Sequence, residues 1–200
     1  LNVVDDVLVM EEKAIYSIEK FLMARRLMYW QAYLHKTSLV AELILTKALK
    51  RAKELTIKGV SLPSSQALLF FMNNKIELNG FSDSVLDKFS QLDDFDIISA
   101  LKEWQNHDDF ILSSLSKMII NRDLLKIKLS SEKFPTEEMH QLLERFSKQN
   151  AVSIQDAHYF IFKGKIKNQA YSKEAEPIHI LKKDKTIEDV VEASDQLNLK

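Results

Sequence analysis

The side chains best suited to chemistry cluster between Ala24 and Lys36, in the run Ala24-Arg25-Arg26-Leu27-Met28-Tyr29-Trp30-Gln31-Ala32-Tyr33-Leu34-His35-Lys36. At roughly 100° per residue of helix, Arg25, Tyr29, Tyr33 and Lys36 fall within about 80° of one another. They would form one stripe of two cations and two phenols. Arginine offers a planar donor fork to phosphate, lysine a compact charge, and tyrosine a ring edge with a hydroxyl. That combination suits the phosphates and sugar of a nucleotide. The same residues on a long helix equally serve surface ion pairs and core contacts, and spacing alone does not choose between these readings.

Other constellations are thinner. The histidines at 35, 140, 158 and 179 stand on separate segments, and none forms a His-x-x-x-His or His-Glu-x-x-His pair. The sole His-Asp dipeptide is His107-Asp108, followed by Asp109. A helix-end or loop ion pair is the expected role there. No Gly-rich phosphate loop, nucleophile elbow or dinucleotide fingerprint occurs. Asp93-Asp94 and Glu137-Glu138 fit helix N-termini, where carboxylates oppose the macrodipole. Lys163, Lys165 and Lys167 alternate as a solvated face or as edge protection, and only secondarily as a phosphate patch.

The elements that must carry these residues are long helices. Only three Gly and three Pro occur in 200 residues, too few for a many-turned β fold. From Glu11 to Lys58 neither appears, and Ile15, Ile18, Leu22, Met28, Leu39, Leu43 and Leu49 include three- and four-residue steps of an amphipathic helix. That run exceeds an ordinary helix, so a break near Thr37-Ser38 is expected. Further helices are predicted from Ser64-Ser65 to Asn73, after Ser82, after Asp93 or Asp94, and over Phe110 to Asn121. Beyond Arg122 the pattern changes. Strands are predicted at Leu124–Leu129, Tyr159–Phe162 and Ile178–Leu181, with helices from Thr136 and from Ile187 to Leu197. This β-α-β-β-α order describes a ferredoxin-like unit lacking its last strand. The fold class expected is mostly α: a helical region over 1–122, then a small α+β subdomain over 123–200.

Composition narrows the function classes. Apolar residues make up 46% and charged residues 28%, the balance of a globular chain. A net charge of -1 gives no electrostatic reason to expect nucleic acid. The absence of cysteine removes disulfides, thiolate nucleophiles and Cys-based metal sites, and fits a reducing, cytoplasmic setting. No apolar run reaches the ~18–20 residues of a membrane span, so no membrane partner is expected. The start at Leu1, in an acidic-apolar segment, is expected of a piece of something longer.

Several stretches resemble HD-superfamily deoxynucleoside triphosphate triphosphohydrolases. Ile18–Tyr29 with Tyr33-Leu34-His35-Lys36 is similar to the helix downstream of their catalytic core, which carries an Arg and then, eight residues later, a Tyr-x-His-Lys group. Asn121-Arg122-Asp123-Leu124-Leu125-Lys126 resembles their Arg-x-Leu-Phe-Lys stretch, with Leu125 in place of Phe. Leu92–Ile97 and Glu192–Asp195 resemble segments of bacterial members. The resemblance implies that Arg25 meets substrate phosphate and that Tyr33 packs by the sugar, helping to select deoxyribose. His35 and Lys36 correspond to a regulatory nucleotide site of some relatives, and Leu34 stands where some carry Gln. It further implies a homo-oligomer, and a divalent metal held by a His, a His-Asp dipeptide and a later Asp. His107-Asp108 lies in a different family segment, so those ligands are expected upstream of Leu1. The expectation is a C-terminal portion of a dNTP phosphohydrolase that binds no metal itself and is inactive alone. The competing expectation is a non-catalytic helical interaction or nucleotide-sensing module.

Overall fold

A computed structural model describes the chain except for residues 78–79, 167–170, 174–176 and 197–200. It divides into two compact units, Leu1–His35 with Lys165–Lys200, and Lys36–Gly164. Arg122, the expected boundary, lies inside the second.

The first unit is built on a four-stranded sheet to which each end of the chain gives two strands. Strands β1 (Asn2–Val4) and β2 (Val7–Glu11) form a hairpin in which Val4 faces Val7. Its two turn residues, Asp5 and Asp6, both have positive φ, at 49° and 63°. This is the left-handed geometry of a two-residue hairpin turn, which aspartate tolerates. β2 runs parallel to β3 (His179–Leu181), and β3 pairs antiparallel with β4 (Ile187–Asp189). The spatial order is β1-β2-β3-β4. Helix α1 (Ile15–Met28) buries Ile18 and Leu22 in a cluster with Ile180 and Val190. Its buried Glu19 carboxylate accepts a hydrogen bond from the Ser194 hydroxyl. After α1 the backbone widens into a π-helical turn, Tyr29–Tyr33, closed by the Leu34 N–H donating to the Tyr29 carbonyl at 2.7 Å.

The second unit is helical. Helix α2 (Lys36–Ile57) presents Val40, Ile44, Ala48, Ala52 and Leu55 as one buried stripe. Ala48 and Ala52 are fully buried, and such small side chains let α2 lie close to its neighbours. The chain leaves α2 through Gly59 at φ +85°, a conformation glycine adopts without Cβ strain. Ser65 caps α3 (Gln66–Asn73) through the Leu68 N–H, and α4 spans Asp83–Ser90. Asp93 and Asp96 form a reciprocal capping box at the start of α5 (Asp94–Trp104). Asp109 caps α6 (Phe110–Asn121). Leu101, Trp104, Leu112 and Leu115 from α5 and α6 are fully buried against the α2 stripe. Helix α7 (Thr136–Asn150) adds Leu143 and Phe146, and the short α8 (Ile154–Ala157) leads Tyr159 and Phe160 into the core.

The mostly α class with a small α+β part is therefore observed, but the ferredoxin-like order is not. The alternation at Leu124–Leu129 belongs to irregular chain outside the sheet, whose Leu124, Leu125 and Ile127 lie on the helical core. The aromatic run at Tyr159–Phe162 continues the turn of α8, with the Phe160 and Ile161 N–H groups donating to the Ala157 carbonyl. Its β-like composition reflects burial of large rings, such as Phe160 stacked 4.8 Å from Phe146. The strand expected at Ile178–Leu181 is observed as β3, His179–Leu181. The helix expected from Ile187 instead begins as β4 and becomes α9 (Val190–Ala193), capped by Asp189; Leu197 lies outside the described residues, as does Lys167. The long-helix break falls at Leu34-His35, just before the expected Thr37-Ser38, because the π turn ends the first segment.

Candidate functional site

The last turn of α1 and the π turn gather the aromatic and cationic side chains singled out in the sequence. The Arg25 guanidinium sits 5.7 Å from the centroid of the Tyr29 ring. The Tyr29 and Tyr33 rings lie 5.1 Å apart, tilted by 50°. The wider π turn brings residues four apart closer to superposition, and such turns recur at functional sites. Tyr33 is 57% exposed. Arg25 Nε is buried and has no hydrogen-bond partner among the described residues. A buried donor left unmade costs about 1–3 kcal/mol, and an oxyanion would satisfy it.

His35 and Lys36, both exposed, follow this turn. The His35 N–H reaches the Ala32 carbonyl at 3.4 Å. Lys36 opens α2 and belongs to the second unit, so the geometry of the stripe within one unit is that of Arg25, Tyr29 and Tyr33.

The His107–Asp109 segment does another job. The Asp109 N–H donates to His107 Nδ1 at 2.9 Å, and the Asp109 carboxylate accepts from the Leu112 N–H at 2.8 Å. Both its oxygens also take the Arg51 side chain, with Nη2 to Oδ2 at 2.6 Å and Nε to Oδ1 at 3.1 Å. Burial pushes the Asp109 carboxyl up, but the Arg51 and Leu112 donors outweigh it and hold it below the ordinary value. Arg51 Nη1 further meets Asp156 and Glu54, each at 3.5 Å, and the hydrogen bonds to Asp109 raise its pKa. Burial raises the Tyr159 phenol beneath it. One turn away, Lys47 donates to the His158 carbonyl at 2.8 Å and lies 4.2 Å over the Phe162 ring; burial lowers its pKa. Sequence reading marked Asp109 but not Arg51, whose partner lies 58 residues on.

Among the described residues no three His, Asp or Glu side chains come together as a metal-holding group. The divalent metal implied by the resemblance does not fit His107-Asp108-Asp109, because Nδ1 of His107 and both oxygens of Asp109 are already engaged. No described helix is long and apolar enough to cross a membrane.

Residues 1–74, which contain the Arg25–Tyr33 turn, match the family model of the HD associated region. This links the chain to the HD superfamily. A phosphohydrolase from Bacteroides thetaiotaomicron VPI-5482, known as a crystal structure, is 47% identical and superposes over 98% of the chain with a TM-score of 0.83. The uncharacterized protein YwfO of Bacillus subtilis is 30% identical over 158 residues, 78% of this chain. The chain spans 49% of the Bacteroides protein and 34% of YwfO, so both relatives are at least twice as long.

Proposed function

We propose that this chain is the portion of an HD phosphohydrolase that follows its metal-bearing core and completes the wall of a nucleotide site. The observation that carries this is the likeness to the Bacteroides phosphohydrolase over almost the whole chain, at 47% identity. The proposed substrate is a deoxynucleoside triphosphate, hydrolysed to deoxynucleoside and triphosphate. Arg25 would direct its unpartnered Nε and fork at the phosphates, a charge-assisted contact. Tyr33 would lie against the sugar, where a ring edge disfavours an added 2′-hydroxyl. His35 and Lys36 are proposed, separately, for a regulatory nucleotide. The divalent metal would be held by residues outside these 200, and the chain alone would be inactive.

A second role is favoured by the surface of α1. Tyr16, Phe21, Met23, Leu27, Met28 and Trp30 are all exposed large apolar side chains on one short stretch. A helix apolar on several faces asks for cover, which favours an interaction or nucleotide-sensing module within a homo-oligomer. Arg25→Ala in the full-length enzyme separates the two. A fall in dNTP turnover of roughly tenfold or more, with unchanged sedimentation, supports the substrate role. Loss of assembly supports the interface role, and no change in either contradicts both.

A further inference from the structure

Between the two side chains proposed for the substrate stands a third that neither role uses. Tyr29 caps the C-terminal end of α1 and opens the π turn. Its backbone is fixed on both sides. The Tyr29 N–H donates to the Arg25 carbonyl, and the Tyr29 carbonyl accepts the Leu34 N–H at 2.7 Å, the bond that closes the turn. Its side chain is half-buried, whereas that of Tyr33 is exposed.

The Tyr29 ring meets both neighbours. The Arg25 guanidinium carbon lies 5.7 Å from the ring centroid, inside the ~6 Å reach of a cation–π contact. The Tyr33 ring lies 5.1 Å away at a tilt of 50°, within the range of favourable aromatic pairs. Arg25 Nε has no hydrogen-bond partner among the described residues. An arginine side chain has many rotamers to lose on binding, and the Tyr29 ring is the contact that limits them here. Both contacts use the ring, and neither uses the hydroxyl.

We propose that Tyr29 is the positioning residue of this site. Its ring presents the Arg25 fork to phosphate and seats Tyr33 against the sugar, so that the two halves of recognition act together. The inference rests on the reading of Arg25 and Tyr33 as substrate wall. In this role Tyr29 acts through its neighbours and need not touch substrate.

The test measures kcat/KM for a deoxynucleoside triphosphate and for its ribonucleotide, in a full-length enzyme that contains this chain. Tyr29→Leu keeps apolar bulk and removes the π face. It should lower kcat/KM for dNTP about threefold to tenfold and narrow the preference for deoxyribose, with sedimentation unchanged. Tyr29→Phe should retain wild-type values of both, because the ring remains. Pentafluorophenylalanine at position 29 keeps the shape of the ring and inverts its quadrupole. It should therefore lose activity as Tyr29→Leu does, even if the leucine variant folds poorly. In an Arg25→Ala background, Tyr29→Leu should cost markedly less than in wild type, the non-additivity of one residue acting through another. Full additivity, an equal loss in Tyr29→Phe, or wild-type kinetics without the π face would each overturn the role of Tyr29 while leaving Arg25 and Tyr33 in place. If Arg25→Ala and Tyr33→Ala are themselves without effect, the substrate reading falls and this inference with it.

Discussion

Arg51 and Asp109 are joined by a forked set of side-chain hydrogen bonds. Their side chains are 14% and 15% exposed, and Asp109 is at once the ion-pair partner and the cap of α6. Removing the carboxylate strips a helix cap and leaves the largely buried Arg51 with only its longer contacts to Glu54 and Asp156. Asp109→Ala should therefore cost about 2–4 kcal/mol, measured by urea denaturation at about pH 7. The pH dependence has a definite sign. A carboxyl held below its ordinary value of 3.8 contributes fully above that value and loses its contribution as pH falls through the lowered folded value. The gap between wild type and Asp109→Ala should accordingly narrow on acidification below about pH 4. A penalty that stays constant into acid would show that the ion pair is not its source. At the candidate site the residue-scale claim is Arg25. Arg25→Lys keeps the charge but loses the planar fork, so it should recover only part of the activity that Arg25→Ala loses in the full-length enzyme, as measured by kcat/KM for dNTP.

Helix ends offer an independent check at the scale of elements. Helix α7 ends on Ala151 at φ 53°, a left-handed conformation that strains an L side chain. Ala151→Gly should stabilise the chain by about 0.5–1 kcal/mol, raising the thermal midpoint by a few degrees. An unchanged or lower midpoint in calorimetry would contradict that geometry. Where an end is marked by a cap, the sequence is readable: Ser65 and Asp93 start α3 and α5 where side-chain acceptors were expected. Leu124–Leu129 and Tyr159–Phe162 misled because alternation and aromatic content report burial, and irregular chain or a helical turn can meet the same burial against a helical core. The β1–β2 hairpin was missed because its Asp5-Asp6 turn lacks glycine, and because β2 pairs with a strand some 170 residues away. Local pattern carries no information on such a partner. Arg25, Tyr29 and Tyr33 emerged from spacing since they share one helical segment, whereas Arg51 needed the tertiary fold to meet Asp109.

At the scale of the molecule, three facts bear on function together. The Arg25–Tyr33 turn lies inside the HD associated region, the chain aligns with half of a phosphohydrolase, and no described group of residues suits a metal. A chain of this kind should bind nucleotide phosphate weakly, if at all, without its neighbouring core, yet alter turnover when Arg25 or Tyr33 changes within the full-length enzyme. Tyr33→Ala should narrow the preference for deoxyribonucleotides over ribonucleotides, read as the ratio of kcat/KM for a dNTP and its rNTP. A ratio unchanged from wild type would remove Tyr33 from the sugar site.

The most direct test of the account is divalent-metal-dependent hydrolysis of deoxynucleoside triphosphates, with products resolved by chromatography, by this 200-residue chain beside a full-length enzyme that contains it. The account predicts triphosphate release by the full-length enzyme and none by the chain alone. Hydrolysis by the isolated chain would contradict it, since the metal chemistry would then reside among these residues.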